Sequence, residues 1–194
     1  MKSIRLFSMV VLLSFSTLVF AQSKAAAPQS DAQKSFTLLK SLAGTWEGHG
    51  TSNPPVPDMP DLMQVSFRVT SSGHALMHEM QGKDQPGAKG QSQSSAKSHE
   101  GGGTPITMLY VDGDQLLLTH FCDAGNRPRM VGKISPDGKT VEFNFLDISG
   151  STQYGHMDHA VFTIIDANHH TEDWTYLMPG DKPMHGHIDL HRIN

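Results

Sequence analysis

The chain has 194 residues, of which 37% are hydrophobic and 18% charged, and its formal net charge at pH 7 is −4. This length suits one domain, and an acidic balance without any block of like charge argues against nucleic acid or an anionic membrane surface as the partner. Cys122 is the single cysteine. An intramolecular disulfide is therefore excluded, and the packing of the core has to stabilise the fold.

The first 21 residues are typical of a cleavable secretory signal peptide. Lys2 and Arg5 give a positive start, residues 6–20 are apolar apart from Ser and Thr, and Ala21 is a small residue where a signal peptidase cuts. The apolar run is short for a membrane span of about 20 residues, and no cysteine follows it that could carry a lipid. We therefore predict a secreted or periplasmic protein with no membrane anchor after cleavage, whose net charge without Lys2 and Arg5 is −6.

A helix is predicted near the start of the mature chain. Residues 22–32 are small and polar and are predicted to be a disordered lead-in. Phe36, Leu39 and Leu42 then recur at helical spacing before Gly44, which predicts a helix of two or three turns over about 32–43.

After Gly44 the hydrophobic period changes to two, which is typical of β-strands. Ten candidate strands follow, at residues 45–50, 62–70, 74–82, 104–112, 114–122, 127–135, 139–147, 157–166, 169–177 and 185–193. Turn sequences such as Asp112-Gly113 connect them, and nearly every connection is too short for a crossover helix, so the sheet should be an antiparallel meander. Closure would remove both exposed edges. We predict an all-β, ten-stranded barrel over residues 33–194, with residues 83–103 as a mobile loop between two strands.

The segment LLKSLAGTWEGHG, residues 38–50, places Gly44-x-Trp46-x-Gly48-x-Gly50 on the first strand after a short helix. This order resembles the entry to lipocalin-like and fatty-acid-binding-protein-like barrels, and among these the DUF1579 group of secreted bacterial proteins. LLLTHFCDAGNRPRM, residues 116–130, is also similar to a segment of such proteins. In these barrels the Trp closes one end while glycines let the strand bend over it, so Trp46 is predicted to be structural.

The haem-binding nitrobindins open with the same GxWxGxG pattern and ligate haem through a His of the last strand. That resemblance implies His185 or His187 as the haem ligand here. The chain departs from the nitrobindin pattern after Gly50, where TSNPPVPDMPD stands in place of a Tyr-Pro-Thr run. Haem is therefore not the favoured ligand.

The last candidate strand is unusually rich in histidine. His185, His187, Asp189 and His191 alternate and share one face. A His-x-His pair presents two imidazoles to one metal, so His185 and His187 are the candidate metal ligands. The alternating Ile188 and Leu190 favour a solvated His face, although the partly polar lumen of a ligand-binding barrel keeps an inward His face open as the alternative.

Other strands place polar groups among apolar neighbours, where they would face a lumen. His78 stands between Leu76 and Met80 on its face, and Asp158 shares a face with Ala160, unless it bonds a nearby loop. Arg129 could approach His120 across a hairpin and bind a ligand carboxylate, or bond loop carbonyls at the rim. The predicted ligand-binding residues are His78, His120, Arg129 and Asp158.

These observations predict an exported lipocalin-like barrel that binds a small hydrophobic or amphipathic molecule in its lumen. The alternative is a haem- or metal-binding barrel that uses the histidines of the last strand, and an interaction protein that uses the outer face ranks third. The cofactor stays unknown, since haem or a divalent metal is compatible with the histidines but not favoured. Evidence for an enzyme is weak. Cys122 and His120 are same-face neighbours on one strand with Cα atoms about 7 Å apart, which makes a poor nucleophile–base pair, and no nucleophile elbow, P-loop or HExxH is present in the sequence.

Overall fold

The computed structural model describes residues 29–57, 59–83 and 104–193. Helix α1 (Asp31–Lys40) comes first, and Ser30 caps it by accepting a hydrogen bond from the Gln33 N–H at 3.2 Å. The helix begins one residue before its predicted start, so the last two residues of the predicted lead-in belong to it. The predicted signal peptide, residues 1–21, and nearly all of the predicted loop 83–103 lie outside the described residues.

Ten strands follow the helix, as the sequence predicts. They are β1 (Gly44–Asn53), β2 (Leu62–Thr70), β3 (Ala75–Gly82), β4 (Ile106–Asp112), β5 (Gln115–Phe121), β6 (Arg127–Ile134), β7 (Thr140–Ser149), β8 (His156–Asp166), β9 (His169–Met178) and β10 (Lys182–Arg192). Each strand pairs with its neighbours in the chain, and antiparallel pairing of β1 with β10 closes the meander into a barrel. The predicted fold class is confirmed. Among the described residues, no helix has both the length and the apolar character needed to cross a membrane.

Helix α1 covers the end of the barrel at which β1 begins. Its Phe36 and Leu39 are buried, as is Leu42 just after the helix, and Trp46 on β1 is fully buried beside them. The Trp46 indole N–H donates to the Leu42 carbonyl at 2.8 Å, and the Arg192 guanidinium lies 4.1 Å from the ring centroid. Trp46 therefore helps to close this end, as the resemblance to lipocalin-like barrels implies.

Two further residues, Arg192 and Gly48, hold the first and last strands together. Arg192 donates hydrogen bonds to the carbonyls of Ala43 at 2.7 Å and Ser41 at 2.9 Å, which ties the end of β10 to the segment after the helix. Gly48 allows β1 to approach β10 closely, because a Cβ at this position would lie 1.6 Å from the Asp189 carbonyl oxygen. A larger residue at position 48 would therefore displace the backbone of β10.

The apolar core fills the helix-covered half of the barrel. Its fully buried members come from most of the strands and include Leu76, Leu109, Leu116, Leu118, Met130, Val141, Phe143, Phe162 and Leu190. The inward faces of the strands thus alternate with outward polar faces, as expected for a small barrel.

Candidate binding cavity

A cavity of about 280 Å³ opens at the barrel end opposite α1, where β3 ends and β4 begins. Methionines make up much of its wall, namely Met59, Met63, Met80, Met157, Met178 and Met184. The volume is near the lower end, about 300 Å³, of the range typical for small-molecule pockets. Because methionine side chains are flexible and polarisable, this wall can adapt to the shape of an apolar ligand.

A row of polar side chains lies where the cavity meets the core. His78 on β3 is 2% exposed, Thr107 on β4 is 1% exposed and His120 on β5 is 6% exposed, and all three line the cavity. In the sheet register His78 is opposite Thr107, and Thr107 is opposite His120. The structure thus brings His78 and His120 together across three adjacent strands, with Trp174 of β9 against both imidazoles at ring-centroid distances of 5.6 and 6.0 Å.

His120 is a neutral imidazole at the floor of the cavity. Burial, assisted by the charge of His78, lowers its pKa to about 4. Its Nδ1 is hydrogen bonded to the Thr107 hydroxyl at 2.9 Å, and its ring makes no other hydrogen bond to a residue that the structure describes. A neutral imidazole has one donor and one acceptor nitrogen. The Nε2 of His120 is therefore the group of the polar row best placed to bond a ligand.

Glu172 on β9 lies fully buried behind this row. Its Oε2 accepts hydrogen bonds from His78 Nε2 at 3.1 Å and from the Trp174 indole N–H at 2.9 Å, and its Oε1 accepts one from His170 Nε2 at 3.1 Å. Burial alone would raise the pKa of Glu172. The charge of His78 and the hydrogen bonds from His170 and His78 outweigh burial and hold the pKa well below its usual range. An ionised carboxylate therefore lies inside the barrel.

Sequence reasoning missed Glu172 and His170. The period-two pattern does not separate the two faces of β9, because Thr171 and Asp173 on the opposite face are polar as well. The available signal is Trp174, which shares a face with Glu172 and His170. A tryptophan is the strongest indicator of the inward face in such a strand.

Cys122 follows β5 at the wall of the cavity. Burial raises the pKa of its thiol, outweighing a hydrogen bond donated by the Ala124 N–H that lowers this pKa, and the charge of Asp123 adds a smaller increase. Near neutral pH the side chain is a thiol, not the thiolate that a nucleophile requires. It acts here as a small apolar part of the wall.

Arg129 lies on the outer wall and not in the lumen. It is exposed, and its Nε donates to Asp147 Oδ1 at 2.7 Å within a bidentate pair. The predicted approach to His120 is wrong, because the register places Arg129 opposite Thr119, one residue away from His120 and on the other face.

Asp158 is also displaced from the face that its spacing predicts. The register between β8 and β9 shifts between Met157 and His159, so Asp158 has no cross-strand partner in the ladder. Met157, not Asp158, lines the cavity. The nearest ion-pair contact of Asp158 is with His156 at 4.0 Å.

His185 and His187 occupy the solvated face of β10. His185 is hydrogen bonded to Thr175 at 3.1 Å and also borders the rim of the cavity, while His187 is hydrogen bonded to Asp173 at 2.7 Å. The lumen face of this strand instead carries Met184, Gly186, Ile188 and Leu190. None of the imidazoles of the last strand is thus directed at the lumen. The residues present therefore do not fit the haem site that the resemblance to nitrobindins implies.

No family model and no curated protein matches this chain. Among solved structures it is similar to Rv2717c from M. tuberculosis, with a TM-score of 0.54 and 18% sequence identity over 82% of this chain and 98% of that chain. It is also similar to a protein of unknown function of the DUF3598 family from Nostoc punctiforme PCC 73102, with a TM-score of 0.50 and 11% identity, over 80% of this chain and 49% of that chain. At these identities the similarity shows a shared barrel fold. Membership of the DUF1579 group stays a prediction.

Proposed function

We propose that this protein is an exported lipocalin-like barrel that binds a small hydrophobic or amphipathic molecule in its lumen. The observation that carries the proposal is the cavity of about 280 Å³ at the barrel end opposite α1, with a methionine wall and a floor of His78, Thr107 and His120. An apolar wall with a few convergent polar groups is the usual composition of a small-molecule site. Export rests on the signal peptide predicted for residues 1–21.

The charges around the cavity favour a ligand without a carboxylate. No Lys or Arg occurs among the described residues of the lining, and Arg129 is bonded to Asp147 outside the barrel. The ionised Glu172 lies just behind the polar row. A second carboxylate buried here would meet a His78 whose charge is already paired with Glu172, and would be repelled by Glu172, which is costly in a low-dielectric interior. We therefore expect a neutral polar group, such as a hydroxyl or carbonyl, to meet the Nε2 of His120.

Binding can be measured with the uncharged dye Nile red, whose fluorescence rises in an apolar site. We expect saturable binding of one dye per chain, and displacement by decanol at a lower concentration than by decanoate. The two competitors share their alkyl chain and differ in the charge of the polar end. Stronger displacement by decanoate would contradict the neutral-group proposal, and the absence of saturable binding of any apolar probe would contradict the lumen site itself.

A variant that fills the cavity tests where the dye binds. The nearest atoms to a Cβ added at Gly186 are the carbonyl oxygens of Thr51 and Trp174, each at 4.0 Å. A side chain therefore fits at position 186 and enters the lumen. We expect Gly186→Leu to abolish dye binding while the unfolding midpoint stays close to that of the wild type.

The matched control for Gly186→Leu is His187→Leu, which adds the same side chain one residue later on the solvated face. This control should bind the dye like the wild type. Normal binding by Gly186→Leu, or equal loss in both variants, would show that the dye binds elsewhere.

A further inference from the structure

Three metal-ligating side chains converge on the outer wall of the barrel, away from the cavity. His169 at the start of β9 and Asp189 and His191 of β10 each offer one ligand atom, and these atoms all lie within 4.8 Å of one another. His169 Nε2 is 2.8 Å from Asp189 Oδ1, and His191 Nε2 is 3.5 Å from the same oxygen. Each of the two imidazoles therefore directs its own Nε2 at the same carboxylate oxygen, Asp189 Oδ1.

These separations match the spacing of ligands around a tetrahedral dication. With metal–nitrogen and metal–oxygen bonds of about 2.0–2.2 Å, neighbouring ligand atoms of a tetrahedral zinc site lie roughly 3.3 Å apart. The observed 2.8 and 3.5 Å fall on either side of that value. Small rotations of the three side chains would allow a cation to take the place of the hydrogen bonds.

The backbone holds the three residues in this arrangement. In the β9–β10 ladder His191 is directly opposite His169, and Asp189 is two residues earlier on the same face. The two imidazole rings stack at a centroid distance of 4.3 Å and an interplanar angle of 22°. Asp189 is fixed further by Gly48, which brings β1 against its carbonyl. Ligands on paired strands of a closed barrel are preorganised, so little entropy is lost when a metal binds.

We propose that His169, Asp189 and His191 form a binding site for a divalent cation of the zinc class. Two imidazoles and one carboxylate are a ligand set that suits zinc, nickel and copper more than magnesium or calcium. The side chains of His169, Asp189 and His191 are 25%, 50% and 66% exposed, so one coordination position faces solvent and is open to water. Among the described residues, His185 and His187 join no such group of three.

The test is calorimetric titration of untagged protein with zinc chloride, using two double variants of β9 and β10. The first, His169→Ala with His191→Ala, removes both imidazoles of the proposed site. The second, His185→Ala with His187→Ala, removes the same number of exposed imidazoles from the same face. We expect the wild type and the second variant to bind one zinc ion with equal affinity. The first variant should bind zinc at least about 10–100-fold more weakly. That loss is typical when a residue that only hydrogen-bonds to a metal ligand is removed, and here the ligands themselves are removed.

Equal zinc binding by the first variant and the wild type would overturn the proposal, and so would an equal loss in both double variants. The single substitution Asp189→Asn, which keeps the shape of the side chain, should weaken binding in the same direction. Zinc should also shift the imidazole NMR signals of His169 and His191 and leave those of His185 and His187 in place. Since His169, Asp189 and His191 lie outside the lumen, Nile red binding should persist in His169→Ala with His191→Ala and in Asp189→Asn, which separates failure of this site from failure of the cavity.

Discussion

The helix-covered end and the open end of this barrel are built from the same ten strands but are filled in different ways. At the helix-covered end, Leu39 and Trp46 pack with other large side chains and are fully buried. At the open end, methionines surround a cavity of about 280 Å³. The difference indicates that the two ends have separate roles: close packing stabilises the helix-covered end, and the open end keeps the cavity in which we propose that a ligand binds.

The buried Glu172 marks the boundary between the two ends. It accepts hydrogen bonds from His170, whose ring lies 4.3 Å from Trp46 in the closed half, and from His78 and Trp174, which line the cavity. Substitutions at the helix-covered end should therefore lower the unfolding free energy more than substitutions at the open end do. The following predictions test that comparison.

The largest effect is expected for Glu172→Ala at the boundary. The substitution leaves His78, His170 and Trp174 without their shared acceptor, and breaking a buried ionic network of this kind costs about 3–5 kcal/mol. Urea unfolding measures the loss. The control is Glu142→Ala, which removes an exposed carboxylate bonded to His159 at 2.9 Å and should leave the unfolding free energy nearly unchanged. Losses of equal size would mean that Glu172 is not a structural centre.

The next effect contrasts the two ends directly. Leu39→Ala opens a void in the closed half, where the side chain is fully buried, and should cost about 2–5 kcal/mol. Met184→Ala at the open end enlarges a cavity that already exists and should cost less than about 1 kcal/mol. Both losses of unfolding free energy come from the same denaturation experiment. Similar losses at the two positions would contradict the view that packing near α1 supplies most of the stability.

The pH dependence of stability tests the neutral state of His120. Its pKa is about 4 in the folded protein and about 6.5 in an unfolded chain, so between these values only the unfolded state binds the proton. The unfolding free energy should therefore fall by about 3 kcal/mol as pH decreases from 6.5 to 4. Below about pH 4.3 the lowered pKa of Glu172 should reduce stability further in the same direction.

Urea titrations at pH 7, 6, 5 and 4 would measure this dependence. The comparison variant is His120→Asn, whose amide oxygen can accept a hydrogen bond from Thr107 but which does not titrate. Its stability should change less than that of the wild type between pH 6.5 and 4. An identical slope in both proteins would assign the pH dependence to other groups.

The smallest effect is expected on the outer wall, at Arg129. Because Arg129 is exposed and bonded to Asp147, Arg129→Ala should leave both Nile red binding and its displacement by decanoate as in the wild type. Weaker displacement by decanoate in this variant would mean that Arg129 does bind the carboxylate of a ligand. It would also show that the cavity and the outer wall are not separate.

The fold was predictable because period-two runs and short turns recur after Gly44, and these leave an antiparallel meander as the simplest arrangement. His78 and His120 could be placed inside because each shares a face with apolar residues over a regular stretch of strand. Sequence reasoning places Arg129 on the wrong face although β6 alternates regularly, with Pro128 and Met130 buried on either side of it; the extra residue at the shift beside Arg129 lies on β7. Asp158 could not be placed, since it is itself the extra residue of β8 at the shift between Met157 and His159. A shift of this kind changes which face a residue occupies and leaves no mark in a single sequence.

The proposed metal ligands show a second limit. The alternation on the last strand correctly groups Asp189 and His191 on one face, but His169 joins them from β9 through a register that spacing alone does not reveal. The Glu172 network has the same origin, because His78 reaches it from β3 across the interior of the barrel. Sites assembled from several strands depend on closure geometry, which single-strand patterns do not contain.

The pairing of β1 with β10 also has a consequence for the order in which the molecule is assembled. Trp46 and Arg192 are register partners although nearly the whole described chain separates them, and such distant contacts form late because closing a long loop costs entropy. Met184 and Gly186 of β10 belong to the cavity wall. The cavity therefore forms only when the final strand docks. If a ligand binds there as proposed, a nascent or truncated chain would bind none, and ligand binding would report that folding is complete.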